Sequence, residues 1–324
     1  MNLIITGSIS YDEIMDFPGK FVDYLHPEKL HQINVSFVVD RLEKQFGGTG
    51  SNIAYNIAQI FSFRFSILNE FSKNNSQTNN KIKLLGAVGK DGEFFLDFFK
   101  KNNIDADGIL VDKKLYTSSG KVITDKNDNQ IWGFYYGASI RGKDIKLKKY
   151  LNKDSFLVIS ANHPKAFLNF QKQAIKYKIP YLYDPGMSLT WIKDKDLLKG
   201  VMNCQCLIGN DYEIAMIIRR LKKTVNELTN KGLKIITTLG EKGVRYEKKL
   251  LKLEIPAYKV KKVVDPTGAG DAWRGGFLGG LAKGMKLKDC LKLGNVLASF
   301  AVEKYGTVNH KPTKEQIEKR LKTL

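Results

Sequence analysis

An α/β chain with a mostly parallel sheet, helices on both of its faces and a small β-sheet lid is the fold class this sequence predicts. Three observations predict it. Short apolar runs of strand length alternate with stretches of helical periodicity. Glycine-rich turns stand where strands hand over to helices. Two segments rich in β-branched and aromatic residues interrupt the alternation. The alternation implies a sheet covered on both faces, and in such sheets ligands gather at the carboxyl ends of the strands.

Along the chain, residues 3–6 (LIIT) read as a first strand, and 51–60 (SNIAYNIAQI) as a helix opened by a glycine pair. Residues 84–88 read as a strand and EFFLDFFKKN as the helix after it; 156–160, 181–183, 206–208 and 234–238 are further short strands. The interrupting segments are 33–46 (INVSFVVDRLEKQF) and 116–136 (YTSSGKVITDKNDNQIWGFYY), the second with DKNDN as a hairpin turn. They predict a separate small sheet covering a site on the main body. The expected division is a core of residues 1–15, 47–112 and 137–324, with a lid of 16–46 and 113–136. Residues 61–83, centred on the polar NNSQTNN, read as a surface loop.

Composition narrows the function classes. The chain has 324 residues, 43% of them hydrophobic, enough for a full-sized core. No run of about eighteen apolar residues occurs, and MNLIITGSIS reads as a buried strand rather than a signal peptide, so no membrane partner is expected. Cys204, Cys206 and Cys290 are an odd set in a long chain, which speaks for a reducing compartment, the cytoplasm. The cysteines also lack the second pair or nearby histidines of a zinc site. The net charge of +20 would suit a polyanion partner. Its lysines are scattered through the whole chain, however, as on a solvated surface, and no nucleic-acid stripe is expected.

The stretch VVDPTGAGDAWRGGF, residues 263–277, carries the chemistry. A strand expected to end near Val264 runs into Thr267-Gly268-Ala269-Gly270, a turn whose successive N–H groups can converge into an anion cradle. The apolar run after it predicts a helix whose amino end adds unpaired N–H groups and partial positive charge. Asp271 stands at that start, where the dipole favours its ionised form. A carboxylate there suits removal of a hydroxyl proton while a phosphoryl group moves. Taken alone, the same residues also describe an N-cap aspartate after a glycine turn.

The order of pieces resembles the ribokinase-like, PfkB-type family of carbohydrate kinases nearly end to end, with DPTGAGD as its most specific motif. The resemblance implies Asp271 as catalytic base, with the amides of Gly268, Ala269 and Gly270 as the anion hole for the γ-phosphate of ATP. It implies an early glycine pair, here Gly47-Gly48 followed by Gly50, Ser51 and Asn52, and an NxxE element, here Asn210 and Glu213, that organises Mg2+ and phosphate, with Glu213 acting on the metal through water. It further implies TLGEKG, with Thr238, Gly240 and Gly243, as a nucleotide-binding turn, and Asn295 beside the ATP base. Each has a plainer reading: a strand-to-helix turn, a reciprocal helix cap, a hairpin turn.

Within the family, TGSISYDEIMDFPGKF and LHPEKLHQINVSFVVD through FGGTGSNIAYNIA are similar to the bacterial adenosine kinases. That similarity implies that Asp12 accepts hydrogen bonds from ribose hydroxyls, that Gly48 and Asn52 complete the ribose contact, and that Ser8 lines the floor. Phe134, Tyr135 and Tyr136 resemble the segment covering the base, where stacking is expected of one ring, with Phe134 and Tyr136 the candidates. Arg274 also matches that group. The expected activity is transfer of the γ-phosphoryl group of ATP to the 5′-hydroxyl of adenosine, in purine salvage. A kinase of ribose or fructose is the alternative, and a basic nucleic-acid-binding protein on a kinase fold the remote one. A homodimer through lid edges such as INVSFVVD is expected.

Overall fold

Strand β1 (Asn2–Thr6) shows how this chain divides its apolar residues. Successive strand side chains point to opposite faces, and Leu3 and Ile5 enter one hydrophobic cluster while Ile4 enters another. The same split recurs wherever a strand lies at the middle of the sheet: Val158 against Leu157 and Ile159, Ile208 against Leu207, Ile236 against Ile235. Two cores, one on each face, follow from a strand buried on both sides.

In this computed structural model, which describes residues 1–26, 32, 34–65, 82–127 and 129–324, the remaining elements follow in order. They are β2 (Ser10–Asp16), β3 (Arg41–Gly47), α1 (Thr49–Ser62), β4 (Ile82–Val88), α2 (Glu93–Lys101), β5 (Asp105–Val111), β6 (Ser118–Thr124) and β7 (Gln130–Tyr135). Then come β8 (Ser155–Ser160), α3 (Pro164–Lys176), β9 (Tyr181–Asp184), α4 (Asp194–Asn203), β10 (Cys206–Asn210), α5 (Asp211–Leu221), α6 (Val225–Asn230) and β11 (Lys234–Thr238). The chain closes with β12 (Val244–Lys248), β13 (Leu251–Ile255), α7 (Ala269–Ala282), α8 (Leu287–Ala301) and α9 (Lys314–Thr323).

The large sheet has nine strands in the order β13-β12-β11-β10-β9-β8-β1-β4-β5, parallel from β11 to β5, with β12 and β13 antiparallel at one edge. The chain order reverses beside β1, which pairs with both β8 and β4. Helices α1, α7 and α8 pack together on one face. There a Cβ on Gly275 would collide with Asn56 of α1, and one on Gly276 would stand 2.6 Å from the Leu293 carbonyl of α8. The glycines of AWRGGFLGG therefore let α7 run pressed between two neighbours. No helix of the described residues is long and apolar enough to cross a membrane.

The second sheet has four strands, β3-β2-β6-β7, with β2 and β6 parallel and the outer pairs antiparallel. It differs from expectation in two places. Strand β2, residues 10–16, belongs to it although residues 1–15 were assigned to the core, and residues 34–39 are irregular, so the strand expected over 33–46 begins only at Arg41. INVSFVVD is therefore no strand edge over 34–39; the edges are β3 and β7. Strand β2 escaped the reading because SYDEIMD breaks the alternation on both faces: Glu13 stands between Tyr11 and Met15 on one, and Ile14 between Asp12 and Asp16 on the other. The loop expected over 61–83 gives up its ends to α1 and β4; residues 66–81, with NNSQTNN, lie outside the described residues, as do Asp128 of DKNDN and 27–31 of LHPEKLH.

Candidate active site

Among the described residues no strand leads into the turn ahead of α7: residues 256–264 are irregular, so the strand expected to end near Val264 is absent, and glycine conformation shapes the turn itself. Gly268 has φ +77°, a left-handed conformation that favours glycine, and a Cβ there would stand 2.9 Å from Thr307. No side chain caps α7. Among the described residues the N–H groups of Gly268, Gly270 and Asp271 have no acceptor, whereas Ala269 donates to the Pro266 carbonyl at 3.2 Å. Of the three amides assigned to the anion hole, two are free and the Ala269 one closes the turn. Buried Asp265, which the motif reading left without a task, fixes this loop: its two oxygens accept from Thr267 N at 2.8 Å and Gly306 N at 2.9 Å.

Beneath the turn lies a buried ion pair. Arg274, one turn into α7, donates to Asp184 at the end of β9 through Nε at 2.5 Å and Nη2 at 2.6 Å, and through Nη1 to the Gly270 carbonyl at 3.0 Å. The fork-to-fork geometry is the strong form of this pair, and it ties the turn to the central sheet. Arg274 thus acquires the role the sequence left open.

Asp271 projects from the first turn of α7, and Asn52 of α1 donates to its Oδ2 at 2.9 Å. Burial pushes its carboxyl up to about 6 against the opposing pull of Arg274 and Asn52. The dipole at the helix start was expected to keep it ionised; loss of water outweighs that dipole, because half a charge at one end cannot replace a full hydration shell.

Asp12 sits on β2, and Tyr11 beside it points the opposite way into the core, 5% exposed, with its hydroxyl on the Asp91 carbonyl. Burial, and then the charge of Asp271, push Asp12 up to about 7. Gly47 is required for this placement, since a Cβ on it would collide with the Asp12 carboxylate. Gly48, φ +90°, turns the chain from β3 into α1, and Ser8 closes that turn: its hydroxyl accepts from Thr49 N at 3.1 Å. Ser8 is therefore a surrogate cap for α1, set at the end of β1.

Across the small sheet the register aligns Gln45, Asp12, Gly120 and Phe134 in one row. A Cβ on Gly120 would stand 3.5 Å from both Asp12 Oδ1 and Phe134 Cδ2. The row is thus a slot with a carboxylate on one side, an aromatic ring on the other and glycine between them. Phe134 and Tyr136 touch edge-on at 5.2 Å; Tyr135, at the odd position between them, turns against Gly137. Gly120 went unread because a lone glycine in a strand has many explanations.

On the other side of Asp271 opens a cavity of about 1040 Å³, lined by Thr238, Gly240, Gly243, Asn210, Glu213, Asn295 and the glycine turn. Asn210 and Glu213 form a complete capping box on α5, each side chain accepting the other's N–H at 2.8 Å. The plain reading holds there, and Glu213 also faces the cavity, its carboxyl pushed up by burial and by Asp184. TLGEKG is likewise both a hairpin connection between β11 and β12 and part of the wall. Asn295 is occupied within the protein: it accepts from Trp273 Nε1 at 2.8 Å and donates to the Ile255 and Pro256 carbonyls at 3.1 and 2.7 Å. Its amide shapes the wall, and as arranged it has no free donor for a base. Asp12, Asn52, Gly48, Phe134, Tyr136 and Ser8 lie outside this cavity, and the Asn52–Asp271 hydrogen bond joins the two sides.

The family model described as pfkB family carbohydrate kinase matches residues 9–314. The nucleoside kinase of Methanocaldococcus jannaschii is 28% identical over 303 residues, covering 93% of each chain. The ribokinase of Lactococcus lactis subsp. lactis is 28% identical over 290 residues, 86% of each chain. Among solved structures, the nucleoside kinase of Burkholderia thailandensis in complex with inosine superposes with a TM-score of 0.83 at 25% identity, over 99% of this chain and 97% of that one. With a model match that spans every element from β2 to α8, the glycine turn included, this chain belongs to the pfkB family of carbohydrate kinases.

Proposed function

We propose that this protein is a nucleoside kinase that transfers the γ-phosphoryl group of ATP to the 5′-hydroxyl of adenosine, giving AMP and ADP. The observation that carries the reading is the placement of Asp271. It lies between the unpartnered N–H groups of the glycine turn on one side and, through Asn52, the Asp12–Gly120–Phe134 slot on the other. Asn52 Oδ1 is buried with no partner among the described residues, and buried acceptors of that kind are met by a donor; a sugar hydroxyl supplies one. Asp12, with two acceptor oxygens, takes a vicinal pair of hydroxyls. The nucleoside kinases of M. jannaschii and B. thailandensis, the latter in complex with inosine, support a nucleoside over a free sugar.

In the reaction, the acceptor oxygen forms a bond to the γ-phosphorus as the bond from that phosphorus to the β–γ bridging oxygen breaks, and the hydroxyl proton passes to Asp271. The N–H groups of Gly268 and Gly270 face the charge carried by the transferring group. A magnesium ion fits the donors present. Both oxygens of Asp184 are held by Arg274, and no cluster of three metal-ligating side chains occurs among the described residues. Among the described carboxylates lining the cavity, Glu213 keeps Oε1 unengaged while Oε2 accepts from Asn210 N, and Glu241 and Asp271 stand on the same wall, which suits a cation held mainly by phosphates and its own waters. When bound, such an ion neutralises phosphate charge.

The four-stranded sheet acts as a lid in this reading, excluding water that would compete as acceptor. In this reading Phe134, which shares the row of Asp12, is the ring that covers the nucleoside. Pairing of two copies is favoured along β7, exposed at all six positions, and sedimentation of the intact protein tests it. The ribokinase likeness keeps a free sugar as the second reading, because Asp12 and Asn52 would serve ribose equally well. The deciding experiment is ADP release with ATP and magnesium across adenosine, inosine, cytidine, ribose and fructose. Preference for adenosine supports the reading; turnover of a sugar alone overturns it while keeping the transfer chemistry.

A further inference from the structure

The segment SANHP, residues 160–164, leaves the carboxyl end of β8 beside the proposed nucleoside side, and none of the motifs accounts for it. The Ala161 carbonyl accepts from Ser8 N at 3.0 Å and from Thr49 Oγ1 at 2.9 Å; Ala161 and Thr49 line the cavity on the other side of Asp271, and the chain leads from there to His163, which meets Tyr136 just past β7. Asn162 is 6% exposed and its Oδ1 accepts from His163 N at 2.8 Å. His163 begins α3: its Nδ1 accepts from Lys165 N at 3.1 Å. The imidazole ring meets Tyr136 edge-on at 5.1 Å, and Tyr136 in turn meets Phe134. Three rings therefore run from the small sheet to the body of the protein, and His163 is the one anchored on the body.

That anchor has a chemical consequence. A ring nitrogen that accepts a backbone N–H carries no proton, so the proton of the neutral imidazole stands on Nε2. Burial, assisted by the charge of Lys165, holds the ring in this neutral form by lowering its pKa. Among the described residues Nε2 has no hydrogen-bond partner. His163 thus presents one N–H of fixed identity, on a ring that packs in the same aromatic row as the ring expected to cover the base.

We propose that His163 is a specificity-determining residue that donates from Nε2 to an acceptor atom on the edge of the nucleobase, a ring nitrogen or carbonyl oxygen. The inference rests on the nucleoside-kinase reading and extends it. Aromatic packing alone holds any flat base, because every base has an apolar face. A fixed donor rejects bases that lack the matching acceptor, since that donor would be buried unpaired.

The test compares kcat/KM for adenosine with that for 1-deaza-, 3-deaza- and 7-deazaadenosine, in which one ring nitrogen at a time becomes C–H. The intact protein is expected to lose about tenfold or more with one of the three and little with the others. His163→Phe, which keeps a ring against Tyr136, should bring that ratio to within about twofold of unity, by lowering the rate with adenosine rather than raising that with the analogue. Because the substitution also removes the acceptor at the start of α3, His163→Ser serves as the second variant: serine retains the capping oxygen and should show the same loss of discrimination. A purely structural role would slow all four nucleosides alike and leave the ratio unchanged in both variants, overturning the proposal. So would equal use of all four by the intact protein. If the intact protein phosphorylates no nucleoside at all, the underlying reading fails first, before any variant is made.

Discussion

The two sides of Asp271 are built by different means. The side proposed to take the nucleotide is a cavity whose site-forming groups are largely backbone: free N–H groups of Gly268 and Gly270 and the Gly240–Gly243 hairpin connection, with a cap at Asn210 beside them. The side proposed to take the nucleoside is a row on a four-stranded sheet, Asp12, Gly120 and Phe134, with Phe134 40% exposed. A site made of backbone depends on turn geometry, which glycine at a fixed place in sequence specifies. A site made of side chains on paired strands depends on which strands pair and in what register. The first is robust to most single substitutions outside its glycines; the second changes with one side chain, which is how a common transfer chemistry is given different acceptors.

Substitution at the junction should have the largest effect. Asp271→Asn should lower kcat by about a thousandfold or more, within the range for a lost general base, while calorimetry still detects nucleoside binding. Normal turnover would remove Asp271 from its role. The same variant should be more stable at neutral pH. The carboxyl is raised to about 6 in the folded protein against about 3.9 in an unfolded chain. The folded state therefore binds more protons between those values, and stability from this group is lost as pH rises through that window. Removing the charge should recover up to about 3 kcal/mol at pH 7, read as a rise in Tm that vanishes near pH 4.

Next comes the ion pair beneath the turn. Arg274→Gln leaves Asp184 buried and unpaired and should cost about 3–5 kcal/mol of stability, seen in denaturant titration, with loss of activity toward every acceptor alike. A change confined to nucleosides would contradict the division between the two sides. Asp12→Asn should act on one side only, lowering kcat/KM for the nucleoside by about 10- to 100-fold with little change in KM for ATP, the loss of hydrogen bonds to a charged acceptor. Gly120→Val fills the slot between Asp12 and Phe134 and should raise nucleoside KM by about tenfold, again sparing ATP.

The smallest effect is the pH profile. Both carboxylates act ionised in the proposed reaction, so kcat/KM for the nucleoside should rise with pH through about 6 for Asp271 and about 7 for Asp12 and level off above. The upper of the two limbs should disappear in Asp12→Asn. Persistence of both would show that Asp12 is not the group titrating there.

Much of the nucleotide side was legible in the sequence, because its parts are short and contiguous: DPTGAGD, GNDYE and TLGEKG each place their glycines or caps within a few residues. Asp265 shows the limit of that legibility, since its second partner, Gly306, is far along the chain. On the nucleoside side, Asp12 was found through a resemblance, whereas Gly120, Asn162 and His163 were not found at all. Their significance depends on pairing of β2 with β6 and on the end of β8 lying beside Ser8. Neither leaves a local signal.

The sequence by itself determined the alternating layers, the turn before α7 and the acid in its first turn, because apolar periodicity and glycine conformation act over a few residues. Only the tertiary structure decided that Asp271 is drawn toward neutrality by burial, that Asn295 is spent on the wall, and that β2 belongs to the small sheet. Each of those is settled by groups distant in the chain that remove water or offer a partner, and desolvation and strand pairing are properties of the assembled fold.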